Sequence, residues 1–339
     1  RKDKPWRGSK VAMPEAALSE KPVSEASVIG ESVIEETAPI RAVKKPLYII
    51  DASIYIFKYY FSMPSKWHAS NGRPTETVYG YALWLQRFLC DVAPYRVVAC
   101  FDESLTTCFR NDICPKYKST RELPDDDLAF QLLACKKVSE LMGITCYASN
   151  TYEADDLVGT LVEEARKRSC AYSILTRDKD LAQLVVCSDG CLWDYPASDQ
   201  LFGGDIHKKM GVEPRQVADL LALVGDVSDD IPGVPGVGNK TAAALLQHLG
   251  SWQNIKANIH RITELPIRGS GSLQKKLIEY SDQVDMALLL TTIVTDAQRI
   301  DWSYTRRQAP CFAELGALVQ GLGFPENFVL NLKQEYDTP

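Results

Sequence analysis

Apolar residues in this chain come in short runs that end on an acid. Leu47-Tyr48-Ile49-Ile50 leads into Asp51, and Arg96-Val97-Val98-Ala99-Cys100-Phe101 leads into Asp102. Such runs, apolar on successive positions rather than alternate ones, mark strands buried on both faces, as in parallel sheets. Between them Val78, Tyr81, Leu85, Leu89 and Val92 recur at helical spacing. A strand, a helix and a second strand predict a right-handed crossover. Ile144 to Ala148 predicts a third strand before a helix opening near Glu153, and Tyr172 to Thr176 a fourth before a helix opening near Asp178. Ligands of open parallel sheets bind beyond the carboxyl ends of the strands, where Asp51, Asp102 and Asp178 would stand together. After about residue 205 helical patterns take over, which predicts a second, helical domain.

Two stretches lack these periods. Residues 1–45 hold a single aromatic, Trp6, among Ala, Glu, Ser, Pro and Val, and predict a disordered tail or linker. Its glutamates make a poor targeting peptide, so a cytoplasmic compartment is expected, with an organelle as the alternative. Residues from about 103 to 127 are polar, basic in the middle, and predict a long loop or arch; Asp125, Asp126 and Asp127 within it suit a helix N-terminus after Pro124.

Composition changes the picture only by exclusion. Of 339 residues, 45% are hydrophobic and 24% charged, with no run near the ~18 apolar residues of a membrane span. Ten cysteines without regular spacing, no CxxC and only four histidines favour free thiols over a disulfide scaffold or a zinc site. The net charge of −6 is unlike a nucleic-acid binder, but it is unevenly spread. Residues 1–45 carry +2, and nine acids at predicted strand ends and helix starts account for the remaining −8 and one charge more.

Those nine are Asp51, Asp102, Glu153, Asp155, Asp156, Asp178, Asp180, Asp226 and Asp229. Any one alone reads more simply as a helix cap. Gathered together, like charges about 4 Å apart repel by roughly 4 kcal/mol at an effective dielectric near 20. Hard divalent cations, Mg²⁺ or Mn²⁺, would relieve that repulsion without needing histidine or thiol.

Gly225 to Ala242, read GDVSDDIPGVPGVGNKTA, joins an acidic cluster to a glycine-rich turn that opens a helix. Gly233, Gly236 and Gly238 would let backbone approach a phosphate, with Lys240 adding charge, although a turn between packed helices is the plainer alternative. Arg110, Lys116, Lys118 and Arg121 around Tyr117 suit a threaded single strand with a base stacked on the ring; a solvated basic loop explains them equally. Lys58 would reach the same cavity or lie along its rim.

Taken together, Ile50-Asp51, Phe101-Asp102, Phe109-Arg110 with Tyr117-Lys118, Tyr152-Glu153-Ala154-Asp155-Asp156, Thr176-Arg177-Asp178-Lys179-Asp180 and Gly225 to Ala242 resemble the 5′-nuclease superfamily. The likeness is to the bacterial and phage 5′–3′ exonuclease/flap endonuclease branch and the nuclease domain of bacterial DNA polymerase I, and it spans about Leu47 to Asp301. It implies an α/β, PIN-like (resolvase-like) catalytic domain at 46–208 with a mostly parallel central sheet and a helical arch. An α-helical helix–three-turn–helix domain at 209–305 and a helical extension at 306–339 would follow, in a standalone form with no polymerase domain.

The resemblance further implies a Mg²⁺-dependent hydrolase that cuts branched or 5′-flapped duplex DNA as a monomer, in replication or repair, leaving 5′-phosphate and 3′-hydroxyl ends. One ion would sit among Asp51, Asp102, Glu153, Asp155 and Asp156 and another among Asp178, Asp180, Asp226 and Asp229. Lys118, Arg121, Lys58 and Arg110 would serve the reaction, and Tyr117, Gly233, Val234, Gly236, Gly238, Lys240 and Thr241 would hold DNA, with K⁺ at the hairpin. Lys58 stands where relatives often carry arginine, and Asp230 replaces a frequent asparagine. An inactive DNA-binding protein of the same fold and a PIN-like ribonuclease are the rival functions. An aspartyl-phosphate phosphohydrolase is disfavoured because Asp51 is followed by Ala52-Ser53 and not by x-Asp.

Overall fold

Successive residues of the first strand face opposite cores, and the rest of the molecule is layered on that alternation. A computed structural model describes residues 45–336 apart from Leu105 and Ser198, so the expected tail lies outside it except for Lys45. The strands are β1 (Leu47–Asp51), β2 (Arg96–Asp102), β3 (Thr145–Ser149), β4 (Tyr172–Leu175), β5 (Gly190–Trp193) and β6 (Gln200–Leu201), in the order β3-β2-β1-β4-β5-β6. All pair in parallel except β6, with Asp51 opposite Cys100 and Ile50 opposite Leu175. The chain moves outward from β1 to β2 and β3, then returns to β1's other side with β4. That reversal opens a crevice at the carboxyl ends of β1 and β4.

Helices cover both faces. α1 (Ala52–Ser62), α2 (Glu76–Val92) and α4 (Asp126–Leu141) bury Ile56, Leu85, Phe88 and Val138 against Ile50, Val97 and Ala99. α3 (Phe109–Ile113) lies in the polar region expected to form an arch. On the other face α5 (Ala154–Lys167) packs Leu157, Val158 and Leu161 against Leu47, Ile49 and Val98. The same core runs without a break into the helical half, α6 (Gly203–Met210), α7 (Val217–Val224), α8 (Asn239–Leu249), α9 (Trp252–Ala257), α10 (Ser270–Glu279) and α11 (Ser281–Thr291), through Leu220, Leu245, Trp252 and Leu290. The two halves therefore share one apolar interior rather than meeting across a polar cleft.

The sequence pattern locates the first four strands and the helices at 76–92 and 154–167. Asp125 caps α4 by accepting from the Leu128 N–H at 2.8 Å, as its position after Pro124 suggests. After β4 the expected helix is only a 3₁₀ turn, Asp180–Leu184. Thr176 Oγ1 accepts from the Asp178 N–H at 2.9 Å, and Asp178 Oδ1 from the Asp180 N–H at 2.8 Å.

Beyond α11 the chain returns along the sheet. Arg307 N–H donates to Tyr95 O, Gln308 N–H to Gly143 O and Cys311 N–H to Leu141 O before α12 (Phe312–Gly321) and α13 (Asn327–Tyr336) pack Leu315, Phe324 and Phe328 beside α2 and α4. Gly143 makes that return feasible: its φ is +86°, and a Cβ there would lie 2.1 Å from the Gln308 carbonyl oxygen. Gly143→Ala is expected to cost about 2 kcal/mol or more and to lower Tm by roughly 4–8 °C. An unchanged thermal melt would show that the C-terminal return is not held there.

Candidate active site

Three of the acids are locked by the same local device. Asp102 Oδ1 accepts from the Ser104 N–H at 3.1 Å and its hydroxyl at 2.9 Å; Asp226 Oδ1 accepts from the Ser228 N–H and hydroxyl, both at 2.7 Å. Asp178 takes the Asp180 N–H in the same i to i+2 manner. Each Asx turn ties one carboxylate oxygen to its own backbone and leaves the other to face outward. Asp51, buried at the end of β1, accepts from Thr176 Oγ1 at 2.8 Å, which joins the ends of β1 and β4.

The outward oxygens meet in one cavity of about 900 Å³, lined by Asp51, Asp102, Glu153, Asp155, Asp178, Asp180, Asp226 and Asp229. Eight of the nine expected acids are thus brought together from both halves of the chain. Ile54 and Phe57 of α1, with Leu123, Leu128 and Leu132, form an apolar wall beside them.

Crowding shows in the titration of these groups. Burial, reinforced by Asp178 and Asp102 against the Thr176 hydrogen bond, pushes Asp51 up to about 7. Burial with Asp178 and Asp226 does the same to Asp180, also to about 7. Asp155 is raised well above the carboxylate range by burial and by Asp178 and Asp51. Asp102 is raised by burial and Glu153, and Asp178 by burial and Asp229.

The polar region after β2 folds over this cavity as its roof. Lys118 Nζ is paired with Glu153 and lies 3.7 Å from Asp229, while Arg121 Nη2 donates to Asp229 Oδ1 at 2.5 Å. Burial would lower the Lys118 ammonium, but Glu153, Asp229 and Asp155 outweigh it and hold its pKa up. The Lys118 N–H donates to the Asp229 carbonyl, and the Thr120 N–H to Asp230 Oδ2 at 2.8 Å. Lys118 at φ +51° and Asp230 at φ +56° both hold left-handed backbone conformations. Aspartate tolerates that region better than other branched or long residues.

Several expected residues are placed otherwise. Asp156 is fully buried and lines no part of the cavity: Oδ2 accepts from Arg110 Nη1 at 2.7 Å and the Glu153 N–H at 3.1 Å, Oδ1 from Arg110 Nη2 at 2.8 Å and the Val294 N–H at 2.9 Å. Each of its oxygens accepts two hydrogen bonds from protein, so here it partners Arg110 and does not join the other eight acids in the cavity. Arg110 is 2% exposed and also donates to Glu153 and to the Leu290 and Thr292 carbonyls, so it cannot meet a passing phosphate. Tyr117 is buried with its hydroxyl donating to Glu153 Oε2 at 2.8 Å, which leaves no face for a base. Lys58 is not in the cavity wall; its Nζ lies 5.6 Å over the Tyr59 ring.

The glycine hairpin divides similarly. Gly236 (φ +77°), Gly238, Lys240 and, partly, Thr241 are on the open side, and Gly238 precedes the first turn of α8. Val234 is buried in the core, and Gly233 is needed for packing, because a Cβ there would lie 1.9 Å from the Val224 carbonyl oxygen. The Pro232 and Gly233 carbonyls accept from Gln283 and the Pro235 carbonyl from Lys276.

Sequence reasoning passed over Ser104 and Ser228, although the Asp-x-Ser spacing at 102–104 and 226–228 is their signal. It also missed Thr176 and the apolar wall, for which only the three-dimensional register supplies a signal.

The donor set fits hard divalent cations. It is all carboxylate oxygen, and Asp180 Oδ1 is buried without a hydrogen-bond partner. Among the described residues no three of these side chains close into a ready-made metal shell, a spacing that suits ions keeping several waters. With Asp51 and Asp180 raised, the folded chain binds more protons than the unfolded chain between about pH 4 and pH 7, so ion-free stability should fall as pH rises through that window. Mg²⁺ competes with those protons, so its stabilisation should be larger near pH 8 than near pH 5.5 in thermal melts. An equal shift in Tm at both would contradict the clustering.

Comparisons with known proteins agree with this architecture. Residues 46–214 match the family described as 5′-3′ exonuclease, N-terminal resolvase-like domain, and residues 212–311 match 5′-3′ exonuclease, C-terminal SAM fold. The 5′-3′ exonuclease of Buchnera aphidicola (subsp. Schizaphis graminum) is 31% identical over 84% of this chain and 98% of its own length. That of Aquifex aeolicus is 35% identical over 72% of this chain and 84% of its own. DNA polymerase I of Bacillus subtilis is 33% identical over 75% of this chain but only 28% of the polymerase. Among solved structures, the T5 D15 protein co-crystallised with metal ions aligns over 86% of this chain and all of its own at TM-score 0.61 and 16% identity. The catalytic core of Rad2 in complex with DNA substrate aligns over 86% and 93% at 0.56 and 16%. At that identity the two structures speak to the fold, an α/β resolvase-like half followed by a helical half.

Proposed function

The chain belongs to the 5′-3′ exonuclease family, and from that premise we propose that it is a structure-specific 5′–3′ exonuclease/flap endonuclease. It hydrolyses DNA phosphodiesters with divalent metal ions and leaves 5′-phosphate and 3′-hydroxyl ends. The observation that carries this reading is the convergence of eight acids on one cavity roofed by Lys118 and Arg121.

Asp51, Asp102, Glu153 and Asp155 would hold one Mg²⁺ or Mn²⁺ and Asp178, Asp180, Asp226 and Asp229 another; bound there, such ions supply an activated water and charge stabilisation at the attacking and leaving oxygens. The chain's own residues do the rest. Lys118, held by Glu153 over the acids, is placed to neutralise negative charge developing on the scissile phosphate. Arg121 is half exposed and released at small cost, so it can leave Asp229 for a phosphate oxygen and grip it bidentately. The apolar wall of Ile54, Phe57 and Leu123 keeps bulk water from one side of the cavity. Gly236, Gly238 and Lys240, with the N-terminus of α8, would hold the sugar-phosphate backbone of the duplex without reading sequence.

A 5′-labelled flap incubated with Mg²⁺ separates this reading from its rivals. Cleavage of flap DNA in preference to single-stranded RNA is expected, whereas a PIN-like ribonuclease would reverse the order and an inactive homologue would cut neither. Asp178→Asn should lower cleavage by about 100-fold or more while duplex affinity stays within about threefold, since the carboxylate serves ions and not the hairpin. Retention of full cleavage by that variant would sink the assignment.

A further inference from the structure

The end of α11 is held by the catalytic half through consecutive backbone groups. Arg110 donates to Leu290 O at 2.8 Å and Thr292 O at 3.0 Å, and Asp156 accepts from Val294 N–H at 2.9 Å. Gln183 fills the gap: its Nε2 donates to Thr291 O and its Oε1 accepts from Ile293 N–H, both at 3.0 Å. Each of these side chains also touches the backbone or carboxylate of a cavity acid. Arg110 and Asp156 are bonded to Glu153, and Gln183 Nε2 donates to the Asp180 carbonyl at 3.1 Å.

The start of α11 holds the hairpin instead. Gln283 Nε2 donates to Gly233 O at 2.9 Å and Pro232 O at 3.3 Å. Between these ends the helix is unbroken from Ser281 to Thr291, and Val284, Ala287 and Leu290 seat it in the shared core. Eleven residues of α-helix span about 16 Å and do not stretch. A rod fastened to the hairpin at one end and to the acids' backbone at the other fixes the separation between held duplex and cavity.

Resting on the nuclease reading above, we infer that α11 is a strut that determines which phosphate is cut, with Gln283 and Gln183 as positioning residues at its two ends. Neighbouring phosphates of one strand are separated by a rise of about 3.4 Å. A misplacement near 1 Å costs about 100-fold at the original phosphate, so a loosened strut lets the neighbour compete. Neither glutamine faces the cavity, and neither is needed for the chemistry itself.

The test is product length at single-nucleotide resolution from a 5′-labelled flap, with the full chain and Mg²⁺. Gln183→Ala and Gln283→Ala should each raise products displaced by one nucleotide about tenfold, with total cleavage and duplex affinity within about threefold of the unsubstituted protein. Because both variants loosen one rod, the double variant should displace little more than the larger single effect. Lost stability alone would lower the rate without moving the cut, so an unchanged product distribution in both variants overturns the strut while leaving the nuclease reading intact. Absence of flap cleavage by the unsubstituted protein overturns both.

Discussion

Repulsion among carboxylates is the constraint on which the functional half of this molecule depends. Nine acids line the cavity, Glu122 included, against Lys118, Lys179 and Arg121. Full ionisation would leave an excess of six negative charges among the residues lining it. The chain meets this in three ways. Asx turns at Asp102, Asp178 and Asp226 give one oxygen of each acid a backbone or hydroxyl donor. Buried Arg110 pairs with both Glu153 and Asp156 from below. Lys118 and Arg121 descend from above, and burial together with the charge that remains raises Asp51, Asp155 and Asp180. A site built this way would be stabilised by divalent cations.

Most of the fold was legible in the sequence because a parallel sheet writes itself as apolar runs punctuated by acids. β1 to β4, α2 and α5 follow directly from that pattern, and the crevice follows from their order. What the pattern could not carry was the direction of individual side chains. Asp155 and Asp156 are adjacent in sequence, yet successive helical residues point about 100° apart, so one faces the cavity and the other Arg110. Arg110 and Tyr117 look like exposed basic and aromatic positions of a loop, and only the fold shows that α3 and the turn after it bring both inward onto Glu153.

Glycines in the hairpin make the same point from the backbone side. Gly236 and Gly238 are open to a ligand, whereas Gly233 is glycine because the Val224 carbonyl lies against it. A motif read as one phosphate-binding unit is therefore half exposed surface and half packing. The continuous core between the halves explains why such packing matters: the hairpin and the cavity acids are set on one apolar interior.

The central claim, that this crowding exists to hold divalent ions, is tested most directly by anomalous scattering from crystals soaked in Mn²⁺. The account predicts peaks inside the cavity, one bounded by Asp51, Asp102, Glu153 and Asp155 and another by Asp178, Asp180, Asp226 and Asp229, with Asp156 still bonded to Arg110. A cavity without manganese, or Asp156 turned away from Arg110 to ligate it, would contradict it.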